Sequence, residues 1–205
     1  MNRTLCIADM HGSYKALKQC MERSGFNYST DTLICLGDTV DSYPQTKECF
    51  DELLKIDNLI NILGNHDSLW GFLNWAKFGV INPEWFSQGG QNTILSYPDG
   101  VPDEHIKLLR TSIYKYLDDQ DRLFVHGGFD WRKPLEDNTP DVFMWDRQLI
   151  EYAKQCAETK SCKIPKPLKK YNEIYVGHTT TELYQKLSPI KFCNVWLQIQ
   201  AQGAR

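Results

Sequence analysis

The feature that most constrains the fold is an alternation of short apolar runs with amphipathic stretches. The runs at residues 4–8, 32–36 and 59–63 are typical of strands, and residues 13–25 and 46–55 carry apolar side chains at helical spacing. Strand, loop and helix repeated in this order require right-handed crossovers and a mainly parallel sheet. We therefore predict an α/β protein.

The second half of the chain continues this pattern with more varied elements. Aromatic side chains crowd residues 70–86, which we interpret as a helical cap packed on the core, with the wall of a substrate groove as the alternative. Beyond it we predict a helix over 103–110, a hairpin of strands 113–117 and 122–125, a helix over 141–158, and strands over 174–176 and 192–197.

Polar motifs stand where five of the predicted strands end. They are Asp9-x-His11, Gly37-Asp38-x-x-Asp41, Gly64-Asn65-His66-Asp67, Val125-His126-Gly127-Gly128 and Val176-Gly177-His178-Thr179. In open α/β sheets the carboxyl ends of the strands face the ligand crevice. Each motif alone fits an ordinary polar turn, but turn chemistry does not account for all five in order. Oxygen and imidazole donors without thiolate suit Mn, Fe or Zn, so the sequence predicts a metal site.

Four of the five histidines lie in these motifs, and His105 is the exception. It lies in a charged, helical stretch and has no glycine neighbour. We interpret His105 as a surface residue.

The composition of the chain limits the classes of molecule that it is expected to bind. The chain has 205 residues, with 23 Lys and Arg against 26 Asp and Glu, a net charge of −3. Nucleic acid and anionic membranes are disfavoured because no strong basic field is present. Lysines cluster within residues 160–170, at positions 163, 166, 169 and 170, and we interpret this cluster as a solvated, exposed loop.

The sequence also predicts where the protein acts. The apolar run at residues 5–8 is too short for a signal-peptide core, and no apolar stretch reaches the roughly 18–20 residues of a membrane helix. Seven cysteines occur without a C-x-x-C pair. We expect reduced thiols and a cytoplasmic protein.

Taken together, the five motifs resemble those of the calcineurin-like metallophosphoesterases, particularly the phosphoprotein phosphatase branch with its bacterial and phage serine/threonine phosphatases. The segments 85–93 (WFSQGGQNT) and 143–147 (FMWDR) also resemble segments of that branch. The match extends over residues 3–197, which we take as a single domain, 1–197. The resemblance implies a four-layer α/β/β/α sandwich with mixed sheets flanked by helices.

The resemblance further implies a site with two divalent metal ions, manganese first, with iron or zinc as alternatives. Its expected ligands are Asp9, His11 and Asp38 for the first ion, and Asn65, His126 and His178 for the second, with Asp38 bridging. A hydroxide between the metals would attack phosphorus in line. His66 would be the general acid, oriented by Asp41, and Asn65 would also contact substrate.

Two departures from the branch pattern concern substrate binding. Ser42 stands where the branch usually carries a phosphate-clamping arginine, which a hydroxyl cannot replace. Arg147 is then the best remaining candidate to hold phosphate oxygens, with a plain surface helix residue as the alternative. The third motif ends in Asp67 where eukaryotic members carry glutamate.

These observations favour a serine/threonine protein phosphatase-like phosphomonoesterase that acts on a phosphorylated protein or a small phosphoester. The alternatives are a dinucleoside polyphosphate hydrolase, a phosphodiesterase, and a catalytically weakened metal-binding module.

The end of the sequence departs from the family pattern as well. Relatives continue from the strand that ends at Leu197 into Asp-Thr-Gly-Ala, whereas residues 198–205 read QIQAQGAR. We interpret these eight residues as a frame-shifted or truncated ending. A gene sequence whose codons cannot be re-read as the usual ending would contradict this.

Overall fold

The computed structural model describes residues 3–159, 164–184 and 189–198. Two compact units divide the chain, the first ending at Ser112 and the second beginning at Ile113. Each unit is built on one β-sheet with helices in the connections. The prediction of an α/β fold with two sheets flanked by helices is confirmed; the single-domain boundary 1–197 stays a prediction, and the segment 199–205 lies outside the described residues.

The first unit is built on a three-stranded parallel sheet. Strands β1 (Thr4–Ile7), β2 (Thr32–Cys35) and β3 (Asn58–Asn61) lie in the order β1-β2-β3, and helices α1 (Tyr14–Ser24) and α2 (Thr46–Leu53) connect them. Each strand is one residue shorter than predicted, and β3 begins one residue earlier and ends two residues earlier than predicted. The residues beyond them form the loops that carry the first three motifs.

The helices cover this sheet with the apolar faces that their spacing predicts. Leu17 and Met21 of α1 are buried, and Gly25 ends the helix in the left-handed conformation. The resulting core contains Met10, Leu17, Met21, Phe26, Leu33, Cys35, Cys49, Leu53 and Ile56.

The aromatic-rich stretch forms a helical cap in the first unit, as predicted. Within residues 70–86 lie α3 (Phe72–Phe78), α4 (Pro83–Trp85) and the start of a π-helical turn (Phe86–Gly90). Helix α5 (Gln91–Leu95) and the separately predicted helix α6 (Asp103–Arg110) follow. Phe72 and Trp85 are fully buried, whereas Phe78 and Phe86 are exposed.

His105 is fully buried, so its interpretation as a surface residue is wrong. Its Nδ1 lies 3.0 Å from the Tyr97 hydroxyl and its Nε2 lies 3.1 Å from Oδ1 of Asp51. The charged neighbours that suggested exposure occupy the outer face of α6, while His105 shares the inner face with Leu109, four residues later.

The second unit is built on a five-stranded mixed sheet. Its strands are β4 (Lys115–Leu117), β5 (Arg122–Val125), β6 (Glu173–Val176), β7 (Ile190–Phe192) and β8 (Val195–Leu197), in the order β4-β5-β6-β8-β7. Strand β4 runs antiparallel to β5, as the predicted hairpin requires, and β5, β6 and β8 are parallel. Residues 192–197, predicted as one strand, instead form the last residue of β7, the turn and the second strand of the β7–β8 hairpin, because the backbone turns at Cys193 with φ 57°.

The helix predicted over 141–158 is two helices, α7 (Pro140–Trp145) and α8 (Gln148–Glu158). Asp146 is extended, with ψ 135°, and its Oδ2 accepts the backbone N–H of Leu149 at 2.9 Å. The side chain of Asp146 thus caps the second helix instead of continuing the first.

The lysine-rich loop is only partly as predicted. Residues 160–163 lie outside the described part of the chain, and Lys166–Lys170 forms a 3₁₀ turn. Its lysines are exposed, but Leu168 is buried in the core of the second unit, so this turn is anchored.

The cysteines correct one further expectation. Cys6, Cys20, Cys35, Cys49 and Cys193 are free, but Cys156 is disulfide-bonded, so the expectation that all thiols are reduced is wrong. Among the described residues, none of the helices combines the length and hydropathy needed to cross a membrane.

A buried carboxylate links α2 to α1 and to the loop before β2. Glu52 is nearly inaccessible, and it accepts hydrogen bonds from Lys18 at 2.9 Å, from Lys55 at 2.7 Å and from the Tyr28 hydroxyl. Burial raises the pKa of Glu52, but these donors outweigh it and lower the pKa to about 2.

We expect Glu52→Gln to lower the free energy of unfolding at neutral pH by about 1–3 kcal/mol, because a charged acceptor is lost. The folded-state pKa lies below the usual 4.5, so this contribution is complete above pH 4.5 and is lost as the pH falls to about 2. Urea unfolding of both proteins across this window measures the difference. Glu22→Gln, at an exposed glutamate of α1, is the control; a difference that stays constant down to the lowest pH would contradict the prediction.

Candidate active site

Strained backbone marks the loops that follow β1 and β2. Asp9, His11 and Asp38 have φ values of 45°, 47° and 51°, in the left-handed region that non-glycine residues rarely adopt. Asp41 and Ser42 follow with 80° and 60°. Such conformations cost of order 1–3 kcal/mol each and cluster at functional sites.

Three of the predicted metal ligands converge in the first unit. Asp9, His11 and Asp38 each place a ligand atom within 4.8 Å of those of the other two. Nδ1 of His11 lies 2.8 Å from the carbonyl oxygen of Val40, so Nδ1 carries the proton and Nε2 keeps its lone pair. Metal-binding histidines are typically held in this way. Two carboxylates and one imidazole fit a hard or borderline divalent cation.

Glycine permits this convergence at one critical place. A Cβ on Gly64 would lie 2.1 Å from Oδ1 of Asp38 and 2.4 Å from its backbone nitrogen. Any side chain at position 64 would therefore displace the Asp38 carboxylate, and the glycine of the third motif is required by close approach.

Asp67 has a structural role that its place in the third motif does not reveal. Its Oδ2 accepts the backbone N–H groups of Asp38 at 2.7 Å and Gly64 at 3.2 Å, and its Oδ1 accepts those of Thr39 at 2.9 Å and Val40 at 3.4 Å. This fully buried carboxylate therefore fixes the backbone of two ligand loops. The only signal in the sequence was its position at the end of the third motif.

His66 and Asp41 form the predicted pair. Nδ1 of His66 lies 2.6 Å from Oδ2 of Asp41, and Asp41 is fully buried. The backbone N–H of His66 also donates to Oδ1 of Asp38 at 3.0 Å, and the ring centroids of His66 and His11 are 5.2 Å apart. The pair therefore adjoins the cluster of Asp9, His11 and Asp38.

The charges around His66 favour its protonated form. Burial alone would lower the pKa of His66, but the carboxylates of Asp38 and Asp41 and the hydrogen bond to Asp41 raise it to about 9. A cation on Asp38 would offset that residue's share. Asp41 is then the partner that holds a proton on the ring.

The two predicted ligands of the second unit also lie together. His126 and His178 are buried, with ring centroids 5.1 Å apart, and the N–H of Gly177 donates to the His126 carbonyl at 2.7 Å. His178 has φ 61°, a left-handed conformation like those of the first-unit ligands. The Trp145 ring packs edge-on to His178, with 5.7 Å between centroids, so the 143–147 segment borders this pair.

Arg147 is exposed, but it contacts one of these predicted ligands. Its Nε donates to Nε2 of His178 at 3.1 Å. This contact differs from the plain surface role that was the alternative interpretation, although a role in phosphate binding stays a prediction.

The remaining predicted residues lie on the loops of the first unit. Asn65 is buried between Gly64 and His66, and Ser42 is exposed next to Asp41. Thus the structure gathers Asp9, His11, Asp38, Asp41, Asn65 and His66 on adjoining loops of one unit, and His126, Arg147 and His178 in the other.

Comparisons with known proteins agree with these motifs. The symmetrical bis(5'-nucleosyl)-tetraphosphatase of Proteus mirabilis is 30% identical over 157 residues, which are 75% of this chain and 49% of that protein. The chain thus spans about half the length of the curated relatives it matches.

Two solved structures share the fold. A structure assigned provisionally as a diadenosine tetraphosphatase superposes with a TM-score of 0.68 at 15% identity, covering 97% of this chain and 87% of that one. A protein serine/threonine phosphatase from Saccharomyces cerevisiae, with similarity to human phosphatase PP5, gives a TM-score of 0.54 at 17% identity and covers 97% and 70%.

The sequence model of the calcineurin-like phosphoesterases matches residues 2–181, which is most of the chain and includes all five motifs. This chain therefore belongs to the calcineurin-like phosphoesterase family.

Proposed function

We propose that this chain is a metal-dependent phosphoester hydrolase in which His66 is the general acid. The observation that carries the proposal is the contact between two groups of residues in the first unit. The His66–Asp41 pair adjoins the convergent donors of Asp9, His11 and Asp38, joined by the bond from the His66 N–H to Asp38. A proton donor beside a cation site is the arrangement that phosphoryl transfer to water needs.

The residues proposed as ligands are those that the family resemblance implies. Asp9, His11 and Asp38 would hold one ion, and Asn65, His126 and His178 are the proposed ligands of a second. When bound, such ions neutralise charge on the phosphoryl group and supply hydroxide near neutral pH. We propose manganese, with iron or zinc as alternatives that the donor set also suits.

The chain's own contribution is to hold a proton at a defined atom. Asp41 accepts a hydrogen bond from Nδ1–H of His66, which leaves Nε2 as the atom that donates a proton to the leaving oxygen. This fixes the orientation of the ring before substrate arrives. The buried carboxylate also stabilises the imidazolium form that donation requires.

We propose a dinucleoside polyphosphate as the first substrate class, because the curated relatives are symmetrical bis(5'-nucleosyl)-tetraphosphatases. A phosphoserine or phosphothreonine protein is the second candidate. It is favoured by the segments 85–93 and 143–147, which resemble the phosphoprotein phosphatase branch. In either case we propose Arg147 and Asn65 as contacts to the phosphate.

We also propose that the protein acts in the cytoplasm. The free cysteines Cys35 and Cys49, both buried, support this.

Metal removal tests the proposal most directly. Chelator-stripped protein is expected to be inactive, and Mn²⁺ is expected to restore hydrolysis. The reason is that the ions neutralise the charge on the phosphoryl group and supply the hydroxide that attacks it. The substrates to compare are diadenosine tetraphosphate, a phosphothreonine peptide, p-nitrophenyl phosphate and its bis-ester. No turnover of any of them by reloaded protein would make the chain a metal-binding module, and a preference for the bis-ester would indicate a phosphodiesterase.

His66→Ala tests the general acid. We expect kcat to fall by about 10²–10⁴-fold while the Mn²⁺ content stays nearly constant, because His66 is not among the proposed ligands. Steady-state kinetics and elemental analysis of the same preparation measure both quantities. Loss of metal together with activity would make His66 a ligand or a structural residue.

Arg147→Ala tests phosphate binding. Loss of a planar, charge-assisted donor is expected to raise KM by about tenfold, and Arg147→Lys should recover only part of this. Arg132→Ala is the matched control, because Arg132 is an exposed arginine of the same unit that pairs with Asp130. An unchanged KM in Arg147→Ala would show that the residue does not contact substrate.

A further inference from the structure

We propose that the segment 85–93 is a positioning element that fixes Asp41 and, through it, the orientation of His66. This inference rests on the proposed function, since it concerns the same general acid. Trp85 and Thr93 belong to the segment that resembles the phosphoprotein phosphatase branch, and both donate to Asp41.

The carboxylate of Asp41 is held on both of its oxygens. Oδ2 accepts Nε1–H of Trp85 at 2.7 Å in addition to Nδ1–H of His66 at 2.6 Å, and Oδ1 accepts the Thr93 hydroxyl at 2.8 Å. All of these groups lie within the first unit. Three donors around one fully buried carboxylate leave it little freedom to rotate.

The chemistry of the donors fixes the direction of each bond. An indole N–H donates only, so Oδ2 must be an acceptor towards Trp85 and cannot carry a proton on that side. With Trp85 on Oδ2 and the Thr93 hydroxyl on Oδ1, the carboxyl group accepts on both oxygens, and the remaining lone pair of Oδ2 faces Nδ1 of His66. The contact between Trp85 and Asp41 therefore fixes the atom against which the His66 ring is oriented.

The same segment holds the strained backbone of Asp41 and Ser42. The backbone N–H of Asp41 donates to the Thr93 hydroxyl at 2.8 Å, and Nδ2 of Asn92 donates to the Ser42 carbonyl at 2.6 Å. The single hydroxyl proton of Thr93 is donated in the hydrogen bond to Asp41. In the contact between the hydroxyls of Thr46 and Thr93, 3.3 Å apart, Thr46 is therefore the donor. These bonds offset the cost of two successive left-handed residues.

Gly89 allows the segment 85–93 to approach the backbone of Ser42 closely. It has φ 112°, and a Cβ there would lie 2.4 Å from the backbone nitrogen of Ser42. Trp85 precedes the π-helical turn over Phe86–Gly90 and Thr93 follows it. From these positions Trp85 donates to Oδ2 of Asp41 and Thr93 donates to Oδ1.

A purely structural role for Trp85 is the competing explanation, because the side chain is fully buried and its ring lies 6.2 Å from that of Trp75. The two roles differ in their dependence on the leaving group. A misplaced general acid slows substrates whose leaving oxygen needs a proton, whereas a loosened fold lowers the rate for every substrate or reduces the metal content.

The experiment compares Trp85→Phe, Thr93→Val and Thr93→Ser in Mn²⁺-loaded protein, with p-nitrophenyl phosphate and phenyl phosphate as substrates. We expect kcat for phenyl phosphate to fall by about tenfold or more in Trp85→Phe and Thr93→Val. For p-nitrophenyl phosphate, whose leaving anion is stable, the fall should be less than about threefold. KM and metal content should stay constant, and Thr93→Ser, which keeps the hydroxyl, should recover the rate.

Trp75→Phe is the matched control, since it removes a tryptophan of the same cap that does not bond Asp41. Equal losses on both substrates in Trp85→Phe and Thr93→Val, or no recovery in Thr93→Ser, would overturn the inference.

A second measurement separates this inference from the proposed function. In metal-free wild-type protein the Nδ1 proton of His66 should give a downfield ¹H resonance, because it is shared with a buried carboxylate. This resonance should weaken or shift in Trp85→Phe and persist in Trp75→Phe. If reloaded wild-type protein hydrolyses no phosphoester, the proposed function fails while this measurement still tests the positioning; an unchanged resonance in Trp85→Phe would overturn the positioning alone.

Discussion

The buried carboxylate of Asp67 is the interaction on which the rest of the first-unit site depends. It accepts four backbone N–H groups from the loops that carry Asp38 and Gly64. Those loops contain residues in left-handed conformations, each of which costs of order 1–3 kcal/mol. Hydrogen bonds to a charged acceptor contribute about 1.5–3 kcal/mol each, so Asp67 offsets strain that the ligand geometry requires. Without Asp67, the backbone of Asp38 would lose an anchor, and so would the hydrogen bond from the His66 N–H to the Asp38 side chain.

Much of this site could be predicted from the sequence because its residues follow strands. A strand ends where its apolar run ends, and parallel strands deliver their following loops to one edge of a sheet. This is sufficient to bring Asp9, His11 and Asp38 together in the first unit. The same rule predicts the neighbourhood of His126 and His178 in the second unit, because β5 and β6 are adjacent and parallel.

Tertiary contacts decide what the sequence could not show. His105 is buried because its helix turns that face towards Tyr97 and Phe50, which charge pattern alone does not reveal. Asp146 breaks a long apolar periodicity because its side chain caps α8, a local alternative that periodicity does not weigh. Two of the three donors to Asp41 come from Trp85 and Thr93, 44 and 52 residues away in sequence, so no short motif contains Asp41 together with these donors.

The aspartates of the first unit show how identical side chains acquire different roles. Asp67 is surrounded by backbone N–H groups, which makes it a scaffold for the loops. Asp41 faces an imidazole, an indole and a hydroxyl, which hold it as the acceptor that orients His66. Asp9 and Asp38 instead converge with His11, with their ligand atoms within 4.8 Å of one another. A buried pair of carboxylates is costly unless positive charge compensates it. The role of each aspartate therefore follows from the donors around it, and the cluster in which two carboxylates converge is the one where a cation gains most.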